Sequence, residues 1–364
     1  MVIREITNYL EEIAPLSLQE SYDNCGLIIG DFKTEVKGIL ITLDTTEDIV
    51  DEAISIGANL IISHHPIIFS GLKKLNGKNY IERTVIKAIK NDIAVYAIHT
   101  NLDNINSGVN FQICNKLNLK KIQILDSKTG ELKKLVTFVP VNYQEKVRSA
   151  LFEAGAGHIG NYNSCSYNLE GNGTFKALEN ANPFIGEINE IHTEKEIRIE
   201  VIFPKYLENK IISALIKNHP YEEVAYDIYK LDNNLKTIGA GMIGELETEL
   251  DELSFLSELK SKFNLEVIKH TQLLNKKIKK VAVCGGSGSF LLEKAKQQKA
   301  DIFITADIKY HQFFDSENQI LIADIGHYES EVFTKDLIFD FINKKFPRFA
   351  VHFSKINTNP IKYF

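Results

Sequence analysis

Two stretches far apart in the chain read as copies of one folding unit, and this repetition restricts the fold more than any other feature. ILITLDTTEDIVDEAISIGANLIISHH begins at Ile39 and VAVCGGSGSFLLEKAKQQKADIFITAD begins at Val281. They align without a gap, matching Ala53 with Ala295, Ala58 with Ala300 and Ile62 with Ile304. Each runs as a short apolar strand, a polar turn, an amphipathic helix and a second apolar strand. One more strand follows each copy, DIAVYAIHT from Asp92 and QILIADIGH from Gln319. Strands alternating with helices of this length make βαβ units, whose sheet is largely parallel and covered on both faces. The predicted fold class is α/β, with a duplicated domain and a mostly parallel sheet.

The pattern changes between the copies. KKLVTFVP reads as a strand, YQEKVRSALFEAG as a helix ending at Gly155, and SCSYNLEGNGTFKA and EIRIEVIFP as strands, the second alternating strictly. YLENKIISALIKN is a second helix and EVAYDIYKL a last alternating strand. The order β-α-β-β-α-β is that of a ferredoxin-like α+β domain. With α/β segments on either side, it reads as an insertion. The expected organisation is a discontinuous metal-binding α/β domain over 1–128 and 235–364, with an inserted ferredoxin-like domain over 129–234.

Composition narrows the setting. The net charge of −6, with no long Lys/Arg run, disfavours nucleic-acid binding driven by counterion release. Cys25, Cys114, Cys165 and Cys284 are scattered without a CxxC pair, the pattern of reduced thiols in a cytosolic protein. The N-terminal MVIREITNYLEEIAPL reads as an amphipathic helix, not a signal peptide. No apolar run approaches the ~18 residues that span a bilayer. A soluble cytoplasmic protein without membrane contact is expected.

Four His/carboxylate sites fall where apolar strands end, the side of an open parallel sheet on which ligands bind. The first is SHHP, with His64 and His65 followed by Pro66, where the chain can turn at the end of a strand so that the two imidazoles serve two neighbouring ions. The second is IHTNLD, with His99 and Asp103; the third is IGHYESE, with His327 and Glu331 at i and i+4, sharing one helical face. The fourth is ITADIKYH, with Asp307 and His311 at the same spacing. Taken singly, such residues are more often polar strand ends, turn aspartates or surface pairs. Convergence of the strand ends of two duplicated halves is what favours ligation. Three imidazoles and two carboxylates exceed one ordinary catalytic zinc site and suit two ions sharing a bridging carboxylate. Such ligands admit zinc, iron, manganese or nickel.

With these motifs in view, the chain resembles the dinuclear-metal, hexameric family of GTP cyclohydrolase 1 type 2 homologues. The matching pieces are YDNCGLIIGD, NLIISHHPIIF, VYAIHTNLD and IGHYESE, with GHIGNYNSCSYNLEGNGTFKA, NPFIG and NHPYEEVAYDIY in the insertion of the longer members. The resemblance implies that His64, His65, Asp103, His327 and Glu331 hold two divalent ions, with Glu331 bridging. It also implies a toroidal homohexamer whose sites face an internal cavity. One departure is Ala306, where the family more often carries Gly.

The remaining motifs have plainer readings. CGGSGS from Cys284 lacks the GK[ST] of a P-loop and reads as a tight β-to-α turn, with Cys284 a small buried thiol. HPYEE at His219 marks a helix stop, and Tyr22 and Asp23 belong to a loop that lines the cavity. The expected activity is metal-dependent hydrolysis of a nucleotide or related small molecule, with His99, Asp307 and His311 moving protons from outside the ligand set. The alternative is a non-enzymatic metal-binding assembly or regulatory scaffold.

Overall fold

The computed structural model describes residues 1–364, which form two compact units. One joins Met1–Ser127 to Lys236–Phe364 and the other is Lys128–Leu235.

The larger unit contains two sheets, each built around one copy of the repeat. In the first, Ile39–Thr42, Leu60–Ser63 and Ala94–Ala97 lie parallel, with Ile39 opposite Leu60 and Leu60 opposite Ala94. Every residue of these strands is buried, which explains why they read as continuous apolar runs. Val351–Phe353 adds a parallel edge beside Ile39–Thr42, and Gly26–Ile29 an antiparallel edge beside Ala94–Ala97. In the second sheet, Lys277–Ser287, Ile302–Ala306 and Leu321–Asp324 form the corresponding parallel trio. Gly239–Asp251 pairs antiparallel with Lys277–Ser287 and with Lys120–Ser127, and Lys269–His270 antiparallel with Leu321–Asp324.

The fold is thus mixed α/β, with the parallel pairing concentrated inside the repeats. Outside them Gly26–Ile29, Gly239–Asp251, Lys120–Ser127 and Lys269–His270 pair antiparallel, which needs no helical crossover, and Val351–Phe353 alone adds a further parallel edge. The matched alanines lie where helix meets sheet. Ala53 and Ala58 sit in the core of the first half with Leu40, Ile49 and Ile61, and Ala295 and Ala300 sit in the second with Ala282, Leu292 and Phe303. Helix Glu47–Ser55 starts at Thr46, whose hydroxyl accepts the Ile49 N–H, and helix Tyr80–Lys90 starts at Asn79, whose amide oxygen accepts that of Glu82.

The smaller unit runs strand, helix, strand, strand, helix, strand: Leu132–Pro140, Gln144–Glu153, Tyr167–Lys176, Ile191–Pro204, Glu208–Asn218 and Tyr226–Leu231. Its four-stranded sheet is antiparallel throughout and ordered Tyr167–Lys176, Ile191–Pro204, Leu132–Pro140, Tyr226–Leu231. Ile197, Ile199, Val201 and Phe203 alternate along the long strand and pack with Val147 and Leu151 of one helix and Ile211 and Leu215 of the other. No helix is long and apolar enough to cross a membrane.

One local expectation fails. Asp307 and His311 do not share a helical face: Asp307 has φ +56°, so the chain turns sharply after Ile302–Ala306, and a 3-10 turn over Tyr310–Ser316 carries His311 outward. There the His311 ring is exposed and stacks on Phe314, 6.4 Å between centroids.

Candidate metal centre

The carboxyl ends of the parallel strands of both halves open on a cavity of ≈ 710 Å³. Ser63 hands over to His64 and His65, Ala97 to His99, and Leu321–Asp324 to the short helix His327–Glu331. His64 and His65 turn toward one site, their ring centroids 4.9 Å apart, because regular pairing ends with Ser63 and Pro66 follows.

Each imidazole is held by a hydrogen bond at Nδ1. His64 Nδ1–H donates to the Ile98 carbonyl at 2.8 Å, which fixes its tautomer, since a carbonyl only accepts. His65 meets Asp44 at 2.7 Å, His327 meets Asp307 at 2.6 Å and His99 meets Asp23 at 2.8 Å. This leaves Nε2 available on all four rings. The Nε2 atoms of His65 and His327 each lie 3.0 Å from Glu331 Oε2 and 3.4 Å from one another. His64 Nε2 lies 3.7 Å from Asp103 Oδ1 and 3.9 Å from Glu331 Oε1. Glu331 is 2% exposed and stands between the two sets.

Donor atoms converge in three groups, each within 4.8 Å: His64, Asp103 and Glu331; His65, His327 and Glu331; and His64, His65 and His99. These groups could hold a metal ion. Their chemistry fits one: His64 Nε2 and Asp103 Oδ1 are buried, face each other, and have no hydrogen-bond partner. Buried polar atoms are rarely left so unless a further ligand satisfies them.

The electrostatics agree. Burial pushes the Asp103 carboxyl well above the usual carboxylate range, reinforced by the Glu331 charge. For Glu331 burial acts the same way, but hydrogen bonds from His327 and His65 prevail and hold it well below. Burial opposes a charge on His65 and His327, yet their carboxylate partners raise them to about 9 and about 11. Burial drives His64 down to about 3, so it presents a neutral nitrogen of the kind that can ligate a metal. At pH 7 the metal-free protein therefore carries protons on His65 and His327 that a divalent cation must displace. Metal uptake is expected to release protons and to weaken as pH falls. Calorimetric titration with zinc in two buffers of different ionisation enthalpy measures this directly; identical heats would argue against imidazole ligation.

The structure brings His64, His65, His99, Asp103, His327 and Glu331 together, with Asp307 behind His327, and leaves His311 outside. Asp44 escaped sequence reasoning. Its only signal was its position just past Ile39–Thr42, and its partners are His65 and the Thr358 hydroxyl at 2.5 Å. Asp23 accepts from His99, the Thr100 N–H at 3.0 Å and the Thr100 hydroxyl. Carboxylates behind ligating histidines orient the ring and raise its basicity. Asp44→Asn is accordingly expected to weaken metal binding by about 10–100-fold, read by competition with a chromophoric chelator.

CGGSGS makes room for the carboxylate. Gly286 has φ +59°, and a Cβ there would lie 2.3 Å from Glu331 Oε1. Its N–H donates to Ser330 Oγ at 2.9 Å, while the Gly285 N–H donates to Asn110. Cys284 is buried and its thiol is pushed upward by that burial, so it stays protonated and is a poor nucleophile.

Comparison with known proteins yields consistent matches along the whole chain. The family model described as Duf34/NIF3 (NGG1p interacting factor 3) matches residues 1–360. A Bacillus subtilis protein named GTP cyclohydrolase 1 type 2 homolog is 39% identical over 366 residues, covering 99% of this chain and 98% of its own. Among solved structures, a Bacillus cereus protein related to NIF3 superposes with a TM-score of 0.88 at 38% identity, over 100% of this chain and 99% of its own. Staphylococcus aureus protein SA1388 gives 0.79 at 32% identity, with the same coverage.

Proposed function

The chain belongs to the Duf34/NIF3 family, and from that membership and the pocket geometry we propose a dinuclear metal-dependent hydrolase acting on a small ring compound. His64, Asp103 and Glu331 would hold one divalent ion and His65, His327 and Glu331 the other, with Glu331 shared. The observation that carries this reading is the pair of orphaned buried atoms, His64 Nε2 and Asp103 Oδ1, beside a carboxylate reached by two further imidazoles.

Two such ions would supply Lewis acidity and water activation of the kind used in two-metal hydrolysis. The protein's own groups do the rest. Asp44 and Asp307 orient His65 and His327. His99, backed by Asp23, keeps a free Nε2 at the cavity wall and can hold or pass a proton there.

The cavity wall also informs the substrate. Tyr22, Phe69, Tyr80 and Phe290 offer ring surfaces, while Glu20, Asp44, Asp103 and Glu331 are acidic, and no Lys or Arg lines it. A triphosphate would meet these carboxylates with only bound ions and histidines to balance it. A nucleobase-like or related heterocycle with little negative charge fits better than a nucleotide carrying its full phosphate chain. The Bacillus subtilis relative's name makes guanine ring opening one reaction to test. The family resemblance also leads us to read the protein as a homohexamer, and the β-α-β-β-α-β order of the smaller unit supports reading it as ferredoxin-like.

Elemental analysis of wild type and His64→Ala tests the centre, with close to two ions per protomer expected in the first and a clear loss in the second. Turnover of a panel of nucleobases, nucleosides and nucleotides by the loaded protein tests the reaction. Two bound ions without turnover of any member would favour a metal-binding scaffold.

A further inference from the structure

The smaller unit contains a cavity of ≈ 800 Å³ of its own. Along Ile191–Pro204, odd-numbered residues from Ile197 enter the core against the helices, so Glu196, Arg198 and Glu200 face the other side of the sheet. Glu196 is nevertheless only 8% exposed. Tyr221 and Phe184 help line the cavity on this side, while the adjacent strand contributes Gly171 and Gly173. A Cβ at Gly173 would lie 2.2 Å from Glu196 Oε2, so the carboxylate occupies space that any other residue there would fill.

The cavity holds a nearly buried carboxylate and one buried donor without an acceptor. Glu196 Oε1 accepts from the Tyr221 hydroxyl at 2.9 Å, while Oε2 has neither a hydrogen bond nor an ion pair. Arg198 Nη2 pairs with Glu200 at 2.9 Å, while its Nε–H is buried without an acceptor. A buried donor without an acceptor is costly and uncommon in native proteins. Three rings line the same cavity, with Phe175 and Phe184 centred 6.1 and 6.3 Å from Tyr221 and inclined to it by 58° and 47°, and Tyr221 is the one bonded to the carboxylate. Parallel walls would suit a flat base; inclined rings beside a carboxylate make a cage for a compact cation. Glu170, Glu196, Glu222 and Glu223 outnumber Lys176 and Arg198 along the wall, which also favours positive charge.

We propose that this cavity binds a small organic ammonium compound carrying its own hydrogen-bond acceptor, the chemistry of an amino acid or a betaine. The ammonium group sits in the ring cage against Glu196, and the acceptor takes the Arg198 Nε–H. This site is separate from the metal centre and does not depend on its reading.

Isothermal titration of the full-length protein with the twenty amino acids, glycine betaine and choline, with adenosine and guanosine as flat neutral controls, tests it. At least one amine is expected to bind at millimolar concentration or tighter. Glu196→Gln, which keeps the acceptor for Tyr221 but removes the charge, should weaken that binding by at least about 10-fold. Phe184→Leu, at a half-exposed ring outside the core, should weaken it without affecting folding or metal content. Absence of binding by every amine, binding of the nucleosides alone, or unchanged affinity in folded Glu196→Gln would overturn the proposal. So would an experimental structure in which a second copy of the chain fills the cavity.

Discussion

Replacing Glu331 by Gln is expected to strip the pocket of divalent metal, with affinity falling by more than the roughly 10–100-fold typical of outer-shell losses. Gln keeps the size of the side chain but supplies one neutral carbonyl where two charged oxygens now face His64, His65 and His327. The metal-free protein should suffer as well. Two imidazole nitrogens 3.4 Å apart would lose the carboxylate between them, and breaking a buried pair of this kind costs about 3–5 kcal/mol.

The pH dependence separates these effects. His65 and His327 are raised in the folded protein, to about 9 and about 11, above the ordinary imidazole value near 6.5. Their stabilisation of the metal-free fold is therefore fully present below about pH 6.5 and is lost as pH rises through those folded values. Denaturation of chelator-treated wild type should show stability from these groups declining above neutral pH, and Glu331→Gln should flatten that slope. A variant that keeps two ions per protomer would remove Glu331 from the ligand set.

Gly286→Ala is expected to damage the centre nearly as much without touching a ligand. The added Cβ meets Glu331 Oε1 at 2.3 Å and His327 Cε1 at 3.3 Å, so the carboxylate and the ring must both shift. The left-handed backbone at φ +59° adds about 1–2 kcal/mol of strain for any side chain. Metal content by elemental analysis should fall together with thermal stability. A loss of stability with metal content unchanged would mean that the turn matters only for its backbone.

Much of the centre was legible because its residues lie in short motifs attached to strongly patterned elements. The apolar runs ending in Ser63 and Asp324 located two strand ends, and the i, i+4 spacing of His327 and Glu331 survives as a real helical face. The same spacing misled at Asp307 and His311, because a positive φ at Asp307 ends the strand in a turn that periodicity does not register. The partners of the imidazoles were less legible still: Asp44 reaches His65 across 21 residues and Asp23 reaches His99 across 76.

By itself, the sequence determined the repeated strand–helix–strand units, the alternating strand at the heart of the smaller unit, and which histidines stand at strand ends. These follow from local periods of two and 3.6 residues, which each segment carries within itself. Only the tertiary structure decided that Asp44, Asp23 and Asp307 stand behind their imidazoles, that His99 joins the group while His311 leaves it, and that Glu196 lies buried beside Arg198 on the sheet face away from the helices. Those outcomes depend on which strand ends and loops the packed sheets bring within hydrogen-bonding distance, and no period along the chain encodes a contact between residues so far apart.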